Sequence, residues 1–401
     1  MTTDVVSPST VAAVRDLSID LATVLLDPAR RPAPDPAGAG HATPNLVCSG
    51  FGVWCAAAVL LAGARGATAD ELAGLLRADR AAAVAGLAHL DQLLTDLGGA
   101  AHAMAAWSRV PTYRALREAV PAVAFSSLDD PLDLDAWVAE HTHGLITEMP
   151  VTITPDVLLV LADVVTLFAS WQSPFAPGRT VDEPFTPSGG TPRRVPTMHQ
   201  SFSAMSNHEL GRTASGTTVF GLSCATAGPE VDETGTWTPR PRAHLRLALG
   251  APGADPALVV ADLLRGDWEP VPADLVNLAL PRFSLESTID LLPALAALGM
   301  ITATTDAADF GDLSPEPLRV DQFTQQAVVD IDEEGVKAAA VTVVAMARAA
   351  GPRPDPVVLD LAFDRPFAFA LVDPELGLPL FTGWVADPSG PERPRDRPAL
   401  P

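Results

Sequence analysis

The chain has 401 residues, 48% of them hydrophobic but only 5% aromatic, so a large core has to be built mostly from Ala, Val and Leu. Asp and Glu number 49 against 26 Lys and Arg, giving a formal net charge of −23 that no Lys/Arg cluster offsets; this argues against binding to nucleic acid or to an anionic membrane surface. The three cysteines, Cys48, Cys55 and Cys224, lack zinc-like spacing and read as buried thiols rather than a disulfide.

Length alone predicts two or three domains. MTTDVVSPST has no basic segment followed by an apolar run, so no signal peptide is expected and the location is read as cytoplasmic. The longest apolar runs, near Val53–Ala62 and Val157–Ala162, are too short to span a bilayer.

Ser9 or Thr10 is predicted to cap a first helix over Val11–Leu26, with Val14, Leu17, Leu21, Val24 and Leu25 inward. A Pro-, Ala- and Gly-rich loop, Arg31–Pro44, follows. Pro44–Leu76 reads as a core helix with a Gly-rich exit and carries the motif Gly63-Ala64-Arg65-Gly66-x-Thr68-x-x-Glu71-Leu72. Leu132–Met149 carries Trp137-Val138 and then Thr142-x-Gly144-x-Ile146. His141 and His143 stand two apart, do not share a helix face, and read as solvated rather than as metal ligands.

Val157–Trp171, VLLVLADVVTLFASW, predicts a central strand buried on both faces. The turn Trp171-x-x-Pro174-Phe175-x-Pro177-x-x-Thr180 comes next, continued by Val195-Pro196-x-Met198. A Gly/Pro/Thr-rich loop near Ala225–Pro241 precedes His244–Leu249, which alternates like a strand. Leu278–Met300 carries Pro281-Arg282-Phe283 and, further on, Leu298-Gly299.

Ile331–Ala350, IDEEGVKAAAVTVVAMARAA, has two local readings. Ala favours helix and Gly351-Pro352 would end one, so composition alone gives a buried helix, though without an amphipathic stripe. As a strand it sorts Val336, Ala338, Ala340, Thr342, Val344 and Met346 onto one face, with Lys337, Ala339, Val341, Val343 and Ala345 opposite. Residues this small could slide between two existing strands.

These motifs, in this order, resemble the serpin family, in the manner of a bacterial-type member. EEGVKAAAVT is similar to the proximal hinge of the family's reactive-centre loop, and it is this resemblance that selects the strand reading. Asp364–Pro388 is similar to the family's C-terminal strand pair, with its Arg-Pro-Phe start and Leu-Phe-x-Gly close. The resemblance runs from about Val11 to Pro388. It implies an α+β serpin fold, with three β-sheets, about nine helices and an exposed reactive-centre loop. One domain over residues 11–388 then replaces the two or three suggested by length, with tails at 1–10 and 389–401 and the loop at about 335–360.

The implied function is inhibition of a serine protease by a suicide substrate, which traps the acyl-enzyme by loop insertion into the central sheet. The alternative is a non-inhibitory serpin-fold binding protein whose loop is cleaved or idle without insertion. The hinge would be Glu333, Glu334, Gly335, Val336, Lys337, Ala338, Ala339, Ala340, Val341 and Thr342; Lys337 stands where the family more often has an acidic residue. Family spacing from Gly335 sets the reactive bond at Ala349–Ala350, for an elastase- or subtilisin-like protease, with Arg348–Ala349 and a trypsin-like protease as the rival. Trp171, Arg282 and Glu333 would form the breach at the top of the sheet, the last two as an ion pair.

Ser49, Asp163 and Gln325 would form the shutter, where the central strands part. Here the chain departs from the family: Asp163 replaces an Asn, Gln325 a His, and Gly50 and Gly52 stand in for Pro and Ser. A buried Asp163 needs donors, which the Gln325 amide is expected to supply. No cofactor, metal, nucleic acid or membrane partner is expected, and the chain is expected to be a monomer; extracellular location is the family-based alternative. A hydrolase is disfavoured, since Gly-x-Ser-x-Gly, His-Glu-x-x-His and a phosphate-cradling Gly loop are all missing.

Overall fold

The structure, a computed structural model, describes residues 6–30, 43–97, 100–128, 132–142, 144, 146–167, 169–188, 190–203, 206, 208–225, 241–336 and 356–389. The first helix, α1 (Pro8–Leu26), begins earlier than expected. Ser7, not Ser9 or Thr10, is the cap: its Oγ accepts the Thr10 N–H at 3.1 Å. Pro8 explains the shift, because it suits the first turn of a helix, where its missing N–H would have gone unpaired anyway. Val14, Leu17 and Leu21 are buried as predicted, while Val24 and Leu25 are only partly so.

Strand β1 (Leu46–Cys48) feeds α2 (Gly50–Gly63), every residue of which is buried. A helix apolar on all sides has no face for water and has to sit inside the core. Next come α3 (Gly66–Leu76), α4 (Arg80–Leu97), β2 (Ala100–Ser108), α5 (Arg114–Ala119), β3 (Val123–Ser127) and α6 (Leu132–His141). The Thr142 hydroxyl closes α6, donating to Val138 O at 2.7 Å and accepting the Ile146 N–H at 3.0 Å. His141 is not free in solvent: its ring stacks on Trp137 at 4.3 Å. His143 lies outside the described residues.

The chain continues through β4 (Leu159–Leu167), β5 (Ala169–Trp171), β6 (Val181–Phe185), β7 (Arg193–Ser203), β8 (His208–Arg212), β9 (Thr218–Ala225) and β10 (Pro241–Leu249). After α7 (Pro256–Arg265) come β11 (Glu269–Pro270), β12 (Leu275–Pro281), β13 (Phe283–Asp290) and α8 (Leu292–Ala297). The last strands are β14 (Thr324–Ile331), β15 (Gly335–Val336), β16 (Val358–Ala362), β17 (Phe367–Val372) and β18 (Pro379–Val385). Among the described residues there are thus eight α-helices, none long and apolar enough to cross a membrane.

The largest sheet runs β1-β18-β17-β10-β9-β5-β15, with β8 joined to β9 and β11 to β8. A second runs β16-β12-β7-β6. Two smaller pieces, β3-β2-β4 and β13-β14, present the β4 and β14 edges to one cavity. The expected burial of the central strand on both faces holds for one face of β4. Val160 and Ala162 pack with Trp107 and Leu134 under α6, whereas Leu159, Leu161 and Val165 on the other face are half-buried beside the cavity.

The Leu-Phe-x-Gly close has a steric cause. Strands β17 and β18 are buried throughout, and Gly383 lies between β1 and β17, opposite Val47 on one side and Phe369 on the other. A Cβ there would meet Leu46 O at 2.3 Å and the Phe369 ring at 2.4 Å. Neither backbone nor core ring can yield cheaply, so Gly383→Ala is expected to cost about 3 kcal/mol, read as a lower denaturant midpoint with unchanged slope.

Candidate functional site

Four residues reverse the chain at the end of β14. Asp332 Oδ1 accepts the N–H groups of Glu334 at 2.9 Å and Gly335 at 3.3 Å, and its own N–H donates to Gly335 O at 3.3 Å. Gly335 has φ +137°, which side-chain-bearing residues rarely adopt, so the reversal needs this glycine. Beyond it the chain runs back as β15, antiparallel to β5, with Gly335 opposite Ser170 and Val336 opposite Ala169.

Trp171 and Glu333 anchor the turn. The buried Trp171 indole donates to Asp332 O at 2.8 Å, its main-chain N–H to Glu334 O at 3.2 Å, and the Phe175 N–H to Glu333 O at 3.1 Å. The expected pair is formed: Arg282 Nε donates to Glu333 Oε2 at 2.8 Å and Oε1 at 2.9 Å, while Arg282 Nη2 and the Thr180 hydroxyl also bond Oε1. Burial alone would raise the Glu333 pKa, yet the bonds from Arg282 and Thr180 outweigh it and hold the carboxyl below its ordinary value. Asp332 has no such cation in contact, and burial raises its pKa.

Below this turn a cavity of about 720 Å³ opens between β4 and β14, floored by residues of α2 including Gly52 and Val53. Among the described residues, β4 pairs only with β2, and β14 only with β13. The cavity is therefore bounded by two strand edges that no other described strand pairs, and a strand could be accommodated there.

Ser49 and Gln325 meet at the floor of this slot. The Ser49 N–H donates to Gln325 Oε1 at 2.8 Å and Gln325 Nε2 donates to Ser49 O at 2.9 Å. The Ser49 hydroxyl caps α2 through the Gly52 N–H at 3.0 Å and donates to Leu380 O at 2.7 Å. Gly50 and Gly52 have steric reasons: a Cβ would lie 2.2 Å from Ser18 Oγ at the first and 2.5 Å from Asp163 Oδ2 at the second.

The donor for Asp163 is not Gln325, whose amide is engaged with the Ser49 main chain. It is His102, whose Nε2 lies 2.7 Å from Asp163 Oδ1 while Nδ1 lies 3.0 Å from Asp91 Oδ1 on α4. The register makes this contact: His102 faces Val165 and Met104 faces Asp163, so His102 and Asp163 are diagonal neighbours on one face of the β2–β4 ladder. Side-chain exposure is 1% for His102 and 5% for Asp163, but 36% for Asp91, so water reaches only the outer carboxylate. Burial disfavours the imidazolium, but Asp163 and Asp91 overcome it and push His102 up to about 12.

All three cysteines are buried free thiols, as read from the sequence, each pushed up to about 12 chiefly by burial. Of the expected hinge, Glu333 to Val336 are described; Lys337, Ala338, Ala339, Ala340, Val341 and Thr342 lie outside the described residues, as do Arg348, Ala349 and Ala350 of the reactive bond.

A family model described as serpin (serine protease inhibitor) matches residues 38–227 and 264–388. A serine proteinase inhibitor of Cavia porcellus is 28% identical over 282 residues, covering 68% of this chain and 62% of its own length. A putative serpin-Z6C of Oryza sativa subsp. japonica is 27% identical over 394 residues, covering 86% of this chain and 91% of that protein. Among solved structures, the thermophilic serpin tengpin in its native state superposes with TM-score 0.72 at 20% identity, covering 94% of each chain. Human thyroxine-binding globulin in complex with its ligand gives 0.73 at 20% identity, over 94% of this chain and all of that one.

Proposed function

This chain belongs to the serpin family, and on that premise we propose that it inhibits a serine protease as a suicide substrate. The protease serine Oγ attacks the carbonyl of Ala349, the amine of Ala350 leaves with a proton, and an ester joins the two proteins. The freed segment that begins at Gly335 then enters the slot as a strand between β4 and β14. The tethered protease is carried along and its catalytic groups are pulled out of register, so deacylation stalls. An Arg348–Ala349 bond would select a trypsin-like enzyme in place of an elastase- or subtilisin-like one.

The observation that carries this reading is the hinge itself: β15 already runs antiparallel to β5, which follows β4, the strand whose Leu159–Val165 line the cavity. The described pairs are Gly335 with Ser170 and Val336 with Ala169; continued in that register without a bulge, the inserted segment would set Ala338 opposite Leu167, Ala340 opposite Val165 and Thr342 opposite Asp163. The side chains turned toward α2 would then be Val336, Ala338, Ala340 and Thr342, all of them uncharged and none larger than Val. A dozen new ladder hydrogen bonds, at roughly 0.5–1.5 kcal/mol net each, supply about 10 kcal/mol for distorting the bound protease.

The test is incubation with elastase, subtilisin and trypsin followed by a denaturing gel. A covalent complex is expected with at least one of them, and mass spectrometry of the released C-terminal fragment identifies the bond. Cleavage by all three with no complex would replace this reading with that of a non-inhibitory binding protein.

A further inference from the structure

We propose that Cys55, His102 and Asp163 form a site for a thiophilic divalent cation of the Zn²⁺ or Co²⁺ class, a role independent of the inhibitor reading. One ligand atom from each, the Cys55 Sγ, a His102 ring nitrogen and an Asp163 carboxylate oxygen, lies within 4.8 Å of the others. Ligands of a tetrahedral zinc ion, bound at 2.0–2.3 Å, stand about 3.5 Å apart, so an ion would replace the His102–Asp163 hydrogen bond, parting the two atoms now 2.7 Å apart, while the Cys55 sulfur stays within reach. S, N and O donors in this combination are a zinc set.

The outer shell points the same way. His102 turns its second ring nitrogen to Asp91 Oδ1 at 3.0 Å, the carboxylate–histidine arrangement that fixes the tautomer and orientation of a ligating imidazole. Three different elements hold the ligands: α2 carries Cys55, β2 His102 and β4 Asp163. Asp163 and Gly52 line the cavity between β4 and β14, so the carboxylate is the ligand nearest to it.

A metal ligand set needs a thiolate sulfur and an unprotonated ring nitrogen, so affinity is expected to rise with pH. A bound ion would also pin β2 and β4 to α2 at the edge of the slot.

Titration of the full chain with Co²⁺ tests this. The expected result is a near-ultraviolet thiolate-to-cobalt charge-transfer band that saturates at one ion per chain and is displaced by Zn²⁺. Cys55→Ala, a small change in a fully buried helix, should abolish the band. Asp91→Asn, at the wetter end of the cluster, should keep the band and weaken affinity about 10- to 100-fold. No band with the unaltered chain overturns the proposal, as does a band undiminished in Cys55→Ala, which would come from Cys48 or Cys224. Should Cys55→Ala fail to fold, an Asp91→Asn affinity equal to that of the unaltered chain overturns it too.

Discussion

Thr342→Glu is expected to turn the inhibitor into a substrate. The register started by Gly335 and Val336, continued through an inserted segment, would set position 342 opposite Asp163 on the face toward α2. A carboxylate there meets a second carboxylate in a place with almost no water, and an unpaired buried charge costs several kcal/mol. Each 1.4 kcal/mol added to the insertion barrier slows it about tenfold, so hydrolysis of the acyl-enzyme overtakes trapping. The stoichiometry of inhibition should rise at least about tenfold, with cleaved chain replacing covalent complex on a gel. Ala339→Glu, on the opposite face with Lys337, should leave the complex intact. Equal stoichiometry for Thr342→Glu and the unaltered chain would show that this segment does not enter the sheet in that register.

His102→Ala, which removes the partner of Asp163, is expected to be strongly destabilising. It leaves Asp163 buried without its donor, a loss of about 3–5 kcal/mol. For a chain of this length that lowers the unfolding temperature by about 5 °C. The double replacement His102→Leu with Asp163→Leu removes both charges and should recover most of the loss, since the desolvation cost vanishes with them. A double variant as unstable as the single one would mean that shape, not charge, sets the cost.

The pH dependence follows in sign from the same group. The folded-state pKa of His102 is raised to about 12, so its contribution is full below the unfolded value near 6.5 and is lost progressively as pH rises from there toward about 12. Stability measured from pH 7 to 10 should therefore fall more steeply in the unaltered chain than in His102→Ala.

The parts of the fold that depend on local residue chemistry were legible in the sequence. Pro281-Arg282-Phe283 and Trp171 were legible as fixed motifs, and the structure brings Arg282 and Glu333 into contact. Gly383 was legible only as a motif member; its cause, the Leu46 carbonyl and the Phe369 ring, exists only after three strands have paired. His102 was missed. Its partners lie 47 residues back at Cys55, 11 back at Asp91 and 61 ahead at Asp163, so no spacing rule links them. A signal did exist: AHAMAAW and VLADVV each hold one ionisable residue in an apolar strand, and two such residues each need a partner. Assigning the Gln325 amide to Asp163 failed because the start of α2 competed for it, through both main-chain groups of Ser49.

Melting the intact chain beside a chain nicked once between Arg348 and Ala350 tests the central claim most directly. If the freed segment becomes a strand between β4 and β14, about 10 kcal/mol of added ladder bonding should raise the unfolding temperature of the nicked form by at least about 10 °C. A nicked form that melts at or below the temperature of the intact chain would contradict the account.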